Sequence, residues 1–130
     1  MADSDAGPDL RPPVWVGHVA LPVRQVPRST AWWEALGMRR IFESEEVGVL
    51  ELRGGTHLVL LPSQEPIEPD ALAPFDLMVD DLDAARERYA EMGLDPSEPE
   101  RGRIHDSFTI TDPDGYRVTV NSSHASGQPV

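Results

Sequence analysis

The chain has 130 residues, 23 acidic against 11 basic, for a formal net charge of −12, and it contains no cysteine. That length suits one domain able to bury roughly two thirds of the surface its unfolded form exposes, and the charge argues against nucleic acid or an anionic membrane as a partner. Without thiols there is no disulfide framework, thiolate metal site or cysteine nucleophile, and because all eleven basic residues are arginine, no lysine can form a Schiff base.

In chain order, residues 1–13 carry the Gly, Pro and Asp content of an unpacked tail, acidic rather than basic and then apolar. Residues 15–23 alternate as a strand. Pro27 suits the start of a helix running to about Leu36, and Gly37 ends it. Strands follow at about Arg40 to Glu43, Val47 to Arg53 and His57 to Leu61, with Gly54-Gly55 as a two-residue hairpin turn between the last two. Residues 62–74 hold four prolines and read as a linker. The plan then repeats: a strand over Phe75 to Val79, a helix from about Leu82 to Met92 closed by Gly93, a weak strand near Arg103, and strands over Phe108 to Thr111 and Tyr116 to Asn121. Asp112-Pro113-Asp114-Gly115 makes the turn between the last two, with no catalytic assignment. Residues 122–130 form a second tail. No apolar run reaches about 18 residues, so a soluble, cytoplasmic protein is expected.

The repetition is visible in the residues. Val23 to Val26 followed by Ala31 to Met38 recurs 56 positions later as Val79 to Leu82 followed by Glu87 to Leu94. A unit repeated at a fixed offset cannot bury its apolar face alone, so the two copies are expected to share one core within a single domain, residues 14–121, with modules at about 14–61 and 75–121.

Strand alternation assigns two faces. Val19, Leu21, Val23, Leu58, Leu60, Phe75, Leu77, Val79, Val118 and Val120 should pack on the helices. The opposite face carries His18, Ala20 and Pro22; His57, Val59 and Leu61; Pro74, Asp76 and Met78; and Arg117, Thr119 and Asn121. A face mixing His, Asp, Arg and Thr with apolar groups has the composition of a small-molecule pocket. The alternative is a sheet face that is simply solvated.

The chain resembles the vicinal oxygen chelate superfamily, which has the glyoxalase, bleomycin-resistance and extradiol-dioxygenase fold. The resemblance covers about Val16 to Asn121. It rests on Gly17-His18-Val19-Ala20-Leu21-Pro22-Val23, on Trp32-Trp33 before Leu36-Gly37, on Val79-Asp80-Asp81-Leu82-Asp83-Ala84-Ala85, and on Asp112-Pro113-Asp114-Gly115-Tyr116. It implies an α+β fold of two βαβββ modules, eight strands in an incomplete barrel or cup with helices outside. It also implies a homodimer. Metal-dependent members place ligands at positions that correspond here to His18, Val59, Pro74 and Thr119. Valine and proline supply no ligand, so no cofactor is favoured and the usual metal chemistry is expected to be absent.

Several site readings follow. A displaced divalent metal site would use His18, His57 and Asp76, although steps of two residues move a side chain by roughly 6 to 7 Å along a strand. Without metal, His18 is a candidate general base oriented by Asp76. The ligand pocket is expected to comprise His18, His57, Val59, Pro74, Asp76, Met78, Arg117 and Thr119. Arg117 could clamp an anionic ligand group or pair with a local carboxylate. His105 could close over the pocket or sit in a solvated loop. The stretch Glu43-Ser44-Glu45-Glu46 is most simply a solvated turn. Three functions remain open: a metal-independent protein binding a small, partly apolar molecule in the cup; a lyase, isomerase or dioxygenase of the same superfamily; and a ligand-free dimerisation or regulatory module.

Overall fold

In the computed structural model, which describes residues 7–130, the first module runs β1 (His18–Val23), α1 (Val26–Leu36), β2 (Arg39–Glu43), β3 (Gly48–Glu51) and β4 (His57–Pro62). The second runs β5 (Leu77–Val79), α2 (Leu82–Glu91), β6 (Ser107–Thr111) and β7 (Arg117–Ser122). The sheet orders are β1-β4-β3-β2 and β5-β7-β6. In each sheet the strand before the helix lies parallel to the last strand of its module, and the remaining pairs are antiparallel. The fold is α+β, two small sheets each with its own helix. Among the described residues no helix is long and apolar enough to cross a membrane. Residues 1–6, the start of the expected tail, lie outside the described residues, and residues 7–17 form no helix or strand.

Local sequence explains the elements. Pro27 sits in the first turn of α1, where its missing N–H costs nothing. Gly37 ends the helix at φ +127°, a conformation that other residues avoid. Helix α1 turns Val26, Ser29, Thr30, Trp33 and Leu36 inward, a spacing of three and four residues that keeps one face buried. In α2 the Asp81 carboxylate caps the helix by accepting from the Ala84 N–H at 3.0 Å. Leu21, Val23, Leu50, Leu58, Leu60, Val118 and Val120 are fully buried, and Val19, Phe75 and Val79 pack partly buried against them. Each fully buried branched side chain contributes about 1.5–3 kcal/mol relative to exposure. The helix-facing surface is thus complete in both modules.

Three expectations change. The weak strand near Arg103 is absent, and the described residues contain seven strands. Residues 101–106 form a loop whose polar groups turn to Asp106, which accepts from the Gly102 N–H at 3.2 Å and from Arg101 at 3.0 Å. Only Glu100 bridges to Ser107. Strand β5 begins at Leu77 and not at Phe75. An isolated bridge pairs Leu72 with Arg117, and the ladder resumes at Leu77 opposite Val120, so five steps on one strand oppose three on the other. The surplus forms a bulge at Pro74 and Phe75, where proline supplies no N–H to a ladder. Finally, the β3–β4 connection is a three-residue turn, Arg53–Gly55, closed by the Leu52 N–H donating to Thr56 O at 2.9 Å. It is one residue longer than a Gly54-Gly55 hairpin would be.

The modules are joined by hydrogen bonds through the Asp112 to Gly115 turn. Asp112 Oδ1 accepts from the N–H groups of Asp114 and Tyr116 at 2.9 and 2.8 Å and sets the turn. Asp114, with its side chain wholly buried, then reaches into the first module: it accepts from Arg28 at 2.5 Å and from the Arg24 N–H at 3.1 Å. The Tyr116 hydroxyl donates to Pro22 O at 2.9 Å, the Tyr89 hydroxyl to Leu36 O at 3.3 Å, and Phe75 packs on Trp33 with ring centroids 5.6 Å apart. The turn is a module clamp as well as a turn.

Candidate functional site

The exposed face of the first sheet is built by register. His18 on β1 pairs with His57 on β4, His57 with Glu51 on β3, and Glu51 with Arg39 on β2, which gives one polar row across four strands. Arg39 donates to Glu51 Oε1 at 2.9 Å, and His57 Nε2 lies 3.1 Å from Glu51 Oε2. The His18 and His57 rings meet edge to face with centroids 6.1 Å apart. The next row on the same face is Ala20, Val59, Val49 and Phe42, all apolar. Glu51 was not singled out in the sequence. The signal was the length of the turn: a two-residue Gly54-Gly55 hairpin would have set Leu52 opposite His57, and the extra residue sets Glu51 there instead.

A second feature lies between the modules. A cavity of about 520 Å³ is lined by Val16, Val19, Leu52, Leu72, Ala73, Pro74 and Phe75, with Arg53, Thr56, Asp76 and Thr119 as its polar groups. A neighbouring cavity of about 540 Å³ shares Leu52, Arg53 and Asp76 and adds Met78. Between the modules, Arg53 of the β3–β4 turn grips Asp80 of the β5–α2 junction through two hydrogen bonds of 3.1 and 2.8 Å. Those hydrogen bonds hold the Asp80 carboxyl below its ordinary range.

The expected pocket residues therefore divide. Pro74, Asp76, Met78 and Thr119 line the inter-module cavities, because the β5 bulge turns this segment toward the cleft. His18, His57 and Val59 lie on the open face of the first sheet. Arg117 is exposed, and its backbone N–H donates to Ala71 O. No hydrogen bond joins His18 to Asp76 among the described residues, and the carboxylate that orients an imidazole is Glu51, on His57. Among the described residues no group of three or more His, Cys, Asp or Glu is arranged to hold a metal ion. His105 packs on His124 with ring centroids 5.6 Å apart, and its Nδ1 is buried without a partner. In the acidic Glu43 to Glu46 stretch, the Ser44 hydroxyl accepts from the N–H groups of Glu46 and Val47 and closes a surface turn.

A duplicated strand–helix–strands unit with a small-molecule-sized cavity at the module boundary defines a glyoxalase-type fold. The chain belongs to the Glyoxalase/Bleomycin resistance protein/Dioxygenase superfamily, whose family profile matches residues 15–120. Among solved structures it is similar to a lactoylglutathione lyase from Agrobacterium tumefaciens, at 21% identity over 90% of this chain and 99% of that one, with a TM-score of 0.71. It is also similar to TnmS3, an antibiotic binding protein from Streptomyces sp. CB03234, at 23% identity over 84% and 95% of the two chains, with a TM-score of 0.73. A superfamily member from Sphaerobacter thermophilus DSM 20745 matches at 17% identity over 85% and 98%, with a TM-score of 0.72. No curated protein matches the chain. At these identities the likeness establishes the fold.

Proposed function

We propose that this protein binds a small, partly apolar molecule in the cavity between its modules, as a cytoplasmic homodimer and without the metal site of metal-dependent relatives. The observation that carries the reading is the cavity itself: about 520 Å³, walled mainly by aliphatic and aromatic side chains, with a few polar groups at Thr56, Asp76 and Thr119 to orient a ligand. The residues at the family's ligand positions support a pocket that works without metal. Val59 and Pro74 offer no donor atom, Thr119 offers only a hydroxyl, and the neighbouring His57 is already engaged by Glu51. TnmS3, an antibiotic binding protein, has the same fold and supports a binding role.

The test combines metal analysis with ligand binding. Purified protein should contain no stoichiometric zinc, iron, manganese or nickel, and native mass spectrometry should show a dimer. Nitrobenzene, a neutral planar probe, should bind wild-type protein and lose about tenfold or more in affinity when Thr119→Trp fills the cavity. Stoichiometric metal would replace this reading with the enzymatic one built on His18, His57 and Asp76. Failure to bind any member of a diverse metabolite library would favour a ligand-free dimerisation or regulatory module.

A further inference from the structure

We propose that the segment before β1 and the β3–β4 turn form a second ligand site, one that takes a neutral, planar aromatic molecule carrying a hydrogen-bond acceptor, stacked on Trp15. The site is a cavity of about 490 Å³, walled by Pro12, Pro13, Val14 and Trp15 of the segment and by Arg53 and Gly54 of the turn. It borders the inter-module cavity at Arg53 and Thr56, and the chain divides between the two: Trp15 lines this cavity and Val16 the other. Residues 7–17 form no helix or strand, so individual hydrogen bonds hold the wall in place. The Thr56 hydroxyl donates to Val16 O at 2.6 Å, and the His57 N–H donates to Gly17 O at 2.9 Å. Further out, Arg11 closes on Asp9 through Nε at 2.9 Å and a terminal nitrogen at 2.6 Å. A wall fixed in this way, with two proline rings in it, loses little freedom when a ligand arrives.

Trp15 sets the class of ligand. It is 68% exposed, and a flat ring laid on the indole removes apolar area of both partners from water. Its N–H makes no hydrogen bond among the described residues, and it lies beside the bare backbone of Gly55, 3.8 Å from where a Cβ would stand. An indole N–H only donates, so the complementary group on the ligand is an acceptor such as a carbonyl. Charge then separates neutral from ionic ligands. Arg53 turns its fork to Asp80 at 3.1 and 2.8 Å, as Arg11 does to Asp9. These hydrogen bonds hold both carboxyls below their ordinary range, so both stay ionised near neutrality and compensate their arginines. An anionic ligand would find both guanidiniums already paired and would approach a chain of net charge −12. The balanced pairs leave stacking and one donated hydrogen bond as the recognition chemistry.

The probes are coumarin, a neutral planar lactone, and coumarin-3-carboxylate, its anionic relative. The chain has three tryptophans, and the indole N–H signal missing from nitrogen-15 spectra of Trp15→Phe is that of Trp15. Coumarin should shift this signal saturably in wild-type protein, and equally in T119W, where the inter-module cavity is filled. Affinities are then read by calorimetry in the T119W background, so that only the second site contributes. Trp15→Ala should weaken coumarin binding about tenfold or more, through loss of the stacking surface. W15F keeps a ring but loses the donor and should weaken it about threefold. Both variants should unfold at the wild-type temperature within a few degrees, because the replaced side chain is largely in water. The inference is overturned if coumarin leaves the Trp15 signal unmoved, if W15F binds coumarin as tightly as the unaltered residue, or if the carboxylate binds more tightly than coumarin. It also fails if T119W abolishes the shift; coumarin then sits between the modules, and the cavity reading stands alone.

Discussion

Asp114 is the residue through which the two modules hold each other, and the cost of losing it can be worked from its contacts. Its side chain is fully buried, whereas Arg28 is 43% exposed. In Asp114→Ala, Arg28 regains water, so that half of the clamp costs only the 0.5–1 kcal/mol or so of an exposed pair. The Arg24 N–H, which donates to Asp114 Oδ2, loses its partner for about 1–1.5 kcal/mol more. With the small void left by the carboxylate, the total is about 2–3 kcal/mol, or a melting temperature lower by about 10 °C for a domain of this size. Asp114→Asn keeps an acceptor for Arg24 and should cost about 1 kcal/mol. Urea unfolding at neutral pH of D114A, D114N, R28A and D114A/R28A measures these values and their coupling. The clamp reading is refuted if D114A costs less than about 0.5 kcal/mol, or if D114A and R28A simply add.

Gly48 sits against α1, where an added Cβ would lie 2.3 Å from Thr30 Oγ1. Gly48→Ala should cost about 1–3 kcal/mol by overpacking, and thermal unfolding of G48A/T30A should recover most of it, since the other neighbours are 3.4 Å or more away. Burial pushes the Asp112 carboxyl up, and its Oδ2 has no partner. A folded-state pKa above the unfolded one means the native state holds the proton longer, so this group's cost is absent below pH 3.8 and complete above the raised value. Asp112→Asn, which keeps the Oδ1 acceptor for the turn, should therefore raise the melting temperature relative to wild type near neutrality, with the gain shrinking as the pH falls toward 3.8; a gain that does not change with pH would refute this cause.

Much of the fold was legible because it rests on patterns that local chemistry enforces. Alternation identified the buried residues Leu21, Val23, Leu58, Leu60, Val118 and Val120 correctly, since the side-chain period of a strand is fixed. Pro27, Gly37 and Gly93 marked their helix ends for equally local reasons. What the sequence hid was register. A turn longer by one residue moved Glu51 opposite His57, and a bulge of two residues before β5 sent Pro74 and Asp76 toward the cleft. The bulge leaves the apolar pattern of its strand unchanged, whereas the longer turn is the one that lets buried Leu50 pair with buried Leu58. The Asp112 to Gly115 turn hid its second role for a similar reason: the turn chemistry is local, whereas the contact to Arg24 and Arg28 crosses some ninety positions of chain.

The duplication separates scaffold from site. Where both copies serve folding, equivalent positions carry equivalent chemistry: Val23 and Val79 line the core side of their strands, Trp33 and Tyr89 are the buried aromatics of their helices, and Gly37 and Gly93 follow the helix ends at positive φ. Where the copies part company, the residues lie on the opposite face: His18 against Pro74, Glu51 against Thr111, His57 against Arg117. One sequence thus contains two solutions of the same packing problem, and chemistry present in only one of them is not demanded by that problem. Glu51 and His57 form such a pair, with a fixed hydrogen bond on a half-exposed sheet face. An exposed pair of this kind adds little stability, so its main consequence is the fixed orientation of the His57 ring.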